Sequence, residues 1–181
     1  EEMKLIWANF CDEPSLPAYQ ELKKHAYRLG GWKEWREKAL TYIRDKLKRS
    51  SRKKQQTPWG WHAFHDSSLL VEIFLWEKDA DTAWQEAQAG GCRSALWLNL
   101  ANIRASQHPE DAISVYQNHV EDLVNLKNNR AYQDAADYVK IIREVYKETE
   151  TRVEFKDYLE ELRIRHKKKR NFMKLLDGIK F

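Results

Sequence analysis

Asn128-Asn-Arg-Ala-Tyr132-Gln-Asp-Ala135-Ala136-Asp-Tyr-Val139-Lys-Ile-Ile142-Arg-Glu-Val145 decides the fold class. After an asparagine pair suited to a turn, small or apolar residues fall at 132, 135, 136, 139, 142 and 145. That spacing of three and four lines one face of a helix and leaves the charged residues on the other. Upstream, His108-Pro109-Glu110-Asp111 supplies a helix start, with proline and acids in the first turn, and Ile113, Tyr116, Val120 and Leu123 form its stripe. Asn128-Asn129 marks the turn of a helical hairpin with a short connection.

The same phrase recurs at Trp32-Lys-Glu-Trp35, Ala83-Trp84-Gln-Glu-Ala87 and Ala112-Ile-Ser-Val-Tyr116. Met3, Ile6, Trp7 and Phe10 mark a first helix. Ser15 caps a second that carries Pro17 in its first turn and a buried stripe of Tyr19, Leu22, Ala26 and Leu29. Gly30-Gly31 ends it, and Trp32, Trp35, Ala39, Ile43 and Leu47 continue as its partner. From Lys46 to Pro58 the periodicity dissolves and a long polar loop is expected. Helical period returns near Ala63, turns at Asp79–Asp81 and closes at Gly90-Gly91. Leu96, Leu100 and Ile103 carry the next helix, Phe155, Leu159 and Leu162 a later one, and Phe172, Leu175, Leu176 and Ile179 a short terminal cap. The expected fold is all-α, a superhelical array of antiparallel helix pairs in one domain over residues 1–181, with a basic and aromatic insertion at 50–61.

Composition excludes several classes. The 181 residues are 42% hydrophobic and 33% charged, a balance that suits amphipathic helices. Six glycines and four prolines are too few for the frequent turns of a β-sandwich. The eight tryptophans read as packing units between helices. Cys11 and Cys92, the two cysteines, lie far apart with no close partner, which excludes a disulfide framework or a closed cysteine zinc site and favours a reduced, cytoplasmic setting. The apolar run from Leu69 to Trp76 is interrupted by Glu72 and falls far short of the roughly 18–20 residues a membrane span needs. Met3 follows two acids, so the expectation is a C-terminal fragment of a longer protein.

Small residues at helix crossings, with an aromatic one turn away, resemble tetratricopeptide repeats, although the double-glycine turns at Gly30 and Gly90 do not keep that family's spacing. The second half, from His108-Pro-Glu-Asp-Ala-Ile-Ser-Val-Tyr116 through Ala131-Tyr-Gln-Asp-Ala-Ala136 to Phe155-Lys-Asp-Tyr-Leu159 and Leu162-Arg-Ile-Arg-His-Lys-Lys-Lys-Arg170, resembles the C-terminal helical region of bacterial SWIM zinc-finger proteins. That resemblance implies a scaffold accompanying an upstream zinc finger. Neither Cys11 nor Cys92 matches the finger's cysteine and histidine pattern, so no zinc ligand and no cofactor is expected in this chain.

Two basic runs stand out. Arg44 to Lys54 holds seven basic residues against Asp45, and Arg163 to Arg170 holds six with no acid; together they exceed the net charge of +4 and leave the remainder acidic. Arg49, Arg52, Lys53, Lys54, Arg165, Lys167, Lys168, Lys169 and Arg170 are the candidates for neutralising nucleic-acid phosphates. The plainer reading is a solvated face and a helix C-terminus that gathers cations.

Thr57-Pro-Trp59-Gly-Trp61-His62-Ala-Phe-His65 sets aromatics beside the first run. It suits base stacking or peptide capture, or a loop folded back over the helices. His62, His65 and Asp66 resemble a partial metal site, but Asp66 fits a helix cap better. Cys92 follows Gly90-Gly91 at a helix start, where the dipole lowers a thiol pKa, yet no base or orienting group accompanies it.

The sequence therefore points to a non-enzymatic scaffold that holds a protein or peptide, with Tyr19, Lys23, Arg28, Trp59, Trp61, Arg93 and Asn99 as contact candidates. The alternative is a nucleic-acid-associated module acting through residues 44–54 and 163–170.

Overall fold

The computed structural model describes residues 2–54 and 66–180, with backbone alone for 51–54. The described residues form ten helices and no strand: α1 (Glu2–Asp12), α2 (Leu16–Leu29), α3 (Trp32–Lys54), α4 (Ser68–Trp76), α5 (Ala80–Gly90), α6 (Ser94–Arg104), α7 (Pro109–Asn125), α8 (Asn129–Glu148), α9 (Arg152–His166) and α10 (Arg170–Asp177). None is long and apolar enough to cross a membrane. The chain divides into two compact units, Glu1–Leu96 and Trp97–Phe181, with the division falling inside α6.

In the first unit α2 packs against α1, α3 and α4, and α4 pairs with α5. The boundaries follow local chemistry. Ser15 Oγ accepts from the Ala18 amide to cap α2, and Pro17 sits in the first turn, where its missing N–H costs nothing. Gly30 and Gly31 then take φ of 80° and 88°, a region open to glycine but strained for other residues. Asp79 caps α5 through the Thr82 amide. Phe10, Tyr19, Leu22, Ala26, Ala39, Ile43, Ile73 and Phe74 are all buried. Of the expected α2 stripe only Leu29 fails, being 57% exposed at the helix end, where the chain turns away at Gly30.

The expected loop from Lys46 is corrected in its first part. Helix α3 runs on to Lys54, so residues 46–54 are helical although none of residues 46–50 is fully buried. Lysine and arginine propagate an existing helix at little cost once its nucleus is packed. The rest of the 50–61 insertion lies outside the described residues.

In the second unit α8 is central, packed by α7, α9 and α10. Asn128 caps α8 by accepting from the Ala131 amide at 2.9 Å. The preceding Lys127 has φ of 56°, the left-handed turn that closes the hairpin with α7. Ala135, Ala136, Val139 and Ile142 bury the face of α8 read from the sequence, against Tyr116, Val120, Phe155, Leu162, Phe172 and Leu176. Full burial of each large side chain contributes about 1.5–3 kcal/mol. Helix α10 covers α8 and α9, as the terminal cap was expected to do. In α6 the stripe is rotated: Leu100 and Ala101 are buried, Ile103 is 48% exposed, and Arg104 turns inward to pair with Asp111 at 2.9 Å.

Candidate functional site

Two concave surfaces of opposite sign occur in the second unit. The first is a groove of about 420 Å³ walled by α7 and α9 with Tyr146 of α8 at its edge. Its lining includes the carboxylates Glu121, Glu154, Asp157 and Glu161 and one cation, Arg165. Glu121 is engaged, accepting from Arg165 at 2.5 Å and lying 2.8 Å from His166 Nε2. Glu161 lies 3.9 Å from Arg165. Glu154 and Asp157 have no cationic partner among the described residues. The Tyr158 hydroxyl is buried with no hydrogen-bond partner among the described residues, and burial, reinforced by Glu121, raises its pKa. Burial, with Glu154 adding to it, likewise raises that of Tyr146. Both phenols therefore remain protonated donors at neutral pH.

The second surface is a cleft of about 540 Å³ where the α7–α8 and α9–α10 turns meet. Lys127, Lys168, Lys169 and Arg170 line it without any carboxylate. Asn171 donates to Asn129 at 2.8 Å and joins the first turns of α10 and α8. Lys169 donates to the Val124 carbonyl at 3.1 Å. Burial lowers its pKa and so does neighbouring Lys127, with Glu121 pulling the other way.

Several charges in the first unit are paired within it. Arg36 makes a two-pronged contact with Glu77, which also accepts from Tyr19, and Arg44 pairs with Glu86. Lys23 lies over the rings of Trp32 and Trp76 at 5.5 and 4.6 Å, and Lys38 over Trp7 and Trp35 at 4.4 and 4.5 Å. These four indoles thus pack and hold lysines, as cation–π geometry favours.

The candidates taken from sequence separate on this map. Tyr19 is corrected: it is fully buried, its hydroxyl donating to Glu77 at 2.9 Å, and is a core residue rather than a contact. Lys23 is half-buried on its tryptophans. Arg28 is exposed and paired with Glu2, and Arg93 is exposed and paired with Glu72. Asn99 is exposed on α6. Trp59 and Trp61, like His62 and His65, lie outside the described residues. Arg49 is exposed on α3, whose backbone also carries Arg52, Lys53 and Lys54.

In the second run Lys168, Lys169 and Arg170 converge on the cleft and Lys167 is exposed beside it. Arg165 belongs instead to the acidic groove, neutralised by Glu121. Lys127, Asn129, Tyr132 and Asn171 join the cleft from elsewhere in the chain and were not singled out from sequence. Of the acids in the groove only Glu161, paired in sequence with Glu160, draws attention from the sequence, where it reads as solvation or dipole pairing. Pairs of positions more than 30 residues apart leave no local pattern that would have revealed either surface.

At Cys92 the lowering of the thiol pKa that a helix start would give is not what the structure favours. Burial, with Asp66 adding to it, raises its thiol pKa to about 11, so any dipole effect is outweighed. Asp66 accepts from the Ser68 amide at 3.0 Å and caps α4 from one residue ahead of its N-cap. Among the described residues the one group of three potential metal ligands within 4.8 Å is His108, Glu110 and Asp111. It contains no cysteine and Asp111 is already held by Arg104, so it does not fit the ligand set of a zinc finger. Comparison with protein-family models, curated proteins and solved structures finds no match to this chain.

Proposed function

We propose that the chain is a non-enzymatic interaction scaffold whose second unit takes a lysine- or arginine-rich segment of a partner protein into the groove between α7 and α9. One observation carries this reading: four carboxylates line the groove against a single guanidinium, and two of them, Glu154 and Asp157, are left without a cation. Tyr146 and Tyr158 give the groove an aromatic lining suited to the aliphatic stem of a long basic side chain, whose cationic head the carboxylates can accept from. The raised pKa of Cys92 supports a role without nucleophilic chemistry.

Short helix-to-helix turns at Gly30-Gly31, Lys78 and Lys127 support reading the helix pairs as a diverged tetratricopeptide-like superhelix. With the SWIM resemblance, the array is a scaffold in a bacterial cytoplasm beside a zinc finger carried elsewhere in the same protein.

Exposed ion pairs contribute under about 1 kcal/mol each, so binding is weak and falls with salt. Fluorescence anisotropy with a labelled lysine- and arginine-rich peptide and with its glutamate counterpart tests the reading. The basic peptide alone binds, and Glu154→Gln with Asp157→Asn weakens it. Equal binding of the two peptides refutes the proposal.

A further inference from the structure

The second unit carries another surface that the peptide reading leaves unused. In the cleft at the α7–α8 and α9–α10 turns, Lys127, Lys168 and Arg170 have no carboxylate partner among the described residues, and Lys169 is held by neutral oxygens. Bringing four cations together without an acid costs electrostatic energy that an anion relieves. The depressed pKa of Lys169 records part of that cost, since Lys127 contributes to it beside burial.

Two helix N-termini face this cleft. Lys169, the N-cap of α10, supplies no side-chain acceptor, so the first amides of that helix remain open to a ligand. Helix α8 begins alongside, tied by the Asn171–Asn129 hydrogen bond. An independent observation comes from Tyr132. Its side chain is 9% exposed, its ring packs on Phe172 at 5.7 Å, and it lines the cleft with a hydroxyl that has no hydrogen-bond partner among the described residues. The ring is buried while the hydroxyl reaches solvent at the cleft, where it can donate to a bound anion.

We propose that this cleft binds two adjacent phosphates of a nucleic-acid strand. Four cations exceed the charge of one phosphate group, so the cleft suits a stretch of strand that presents two. Lys168 and Arg170 line the cleft from the α9–α10 turn and Lys127 from the α7–α8 turn, and the Tyr132 hydroxyl is a further donor there. The contact is to the backbone and reads no base. The cleft shares no lining residue with the acidic groove.

The test is fluorescence anisotropy of the 181-residue chain with a labelled single-stranded thymidine oligonucleotide across a salt series. Two phosphate contacts predict a slope of log affinity against log salt of about −1.4. Lys168→Gln with Arg170→Gln, both at exposed positions, lowers affinity by about tenfold or more and flattens the slope. Tyr132→Phe keeps the packed ring and lowers affinity by a few-fold, by roughly one hydrogen bond. Glu154→Gln with Asp157→Asn, in the other groove, leaves oligonucleotide affinity no weaker. Pyrophosphate competes at lower concentration than inorganic phosphate.

Failure of the oligonucleotide to bind at low salt overturns the proposal, as does unchanged binding in the Lys168 and Arg170 variant. Capture of a phosphoserine peptide in its place overturns it in favour of a phosphoprotein.

Discussion

His166 Nε2 lies 2.8 Å from Glu121 Oε2, across 45 positions of sequence. The histidine is 6% exposed at the end of α9, and the glutamate forms part of the acidic groove on α7. One hydrogen bond thus fixes the wall of the groove to the residue from which the Lys167–Arg170 turn departs. Glu121→Ala leaves a buried imidazole nitrogen without its partner and costs about 1–3 kcal/mol. A fall in the urea midpoint at unchanged m-value is expected. No change would mean that His166 finds another partner.

Tyr19, Glu77 and Arg36 form the corresponding link in the first unit. Tyr19→Phe removes one hydrogen bond and keeps the ring, for a loss of about 0.5–1.5 kcal/mol. Glu77→Ala also strips Arg36 of its carboxylate and lowers the urea midpoint further. Because Arg36 is itself 32% exposed, the additional loss stays near about 1 kcal/mol, well below that for a fully buried pair.

Much of the helical frame was legible because capping and periodicity are local. Ser15 with Pro17, Pro109 with its acids, and Asn128 mark helix starts where the structure has them. Phe172, Leu176 and Ile179 repeat at helical spacing and are buried. The end of α3 was not legible, since the apolar stripe stops near Leu47 while the hydrogen-bonded helix continues through residues with good helix propensity. Tyr19 shows another limit. An aromatic with a hydroxyl reads equally as anchor or core, and only the position of Glu77, 58 residues away, decides it. The groove and the cleft arise from charges that tertiary packing collects, a step with no sequence period.

Glycine positions should divide by backbone geometry. Gly30 has φ of 80° and ψ of 160°, so Gly30→Ala strains the chain by about 1–3 kcal/mol although space is open around it. Gly178, at φ of −77° and ψ of −10°, suits alanine, whose Cβ would meet only the Leu175 carbonyl at 3.5 Å. Gly178→Ala is expected to stabilise by about 0.4–1 kcal/mol through the unfolded state. Thermal and urea unfolding of both variants check the opposite signs.

Cys92 provides a pH test. Its thiol has a pKa of about 11 in the folded chain against 9.0 for an unperturbed thiol, so the native state retains a proton that the unfolded state has lost. Its contribution to stability is therefore present below pH 9.0 and declines as pH rises toward about 11. Iodoacetamide labelling of native protein, followed by mass spectrometry, should be slow at pH 8 and should rise only toward pH about 11. In urea the inflection should return near 9.0. A native inflection below that value would contradict the assignment.

The central claim is that the groove between α7 and α9 receives a basic protein segment. Amide chemical-shift mapping of the isotopically labelled chain, titrated with the lysine- and arginine-rich peptide, tests it most directly. The account predicts saturating shifts at Asn118 and Glu121 on α7 and from Glu154 to Glu161 on α9, with little change at Lys127 or from Lys168 to Asn171. Shifts centred on any other surface, or none at peptide excess, would contradict it.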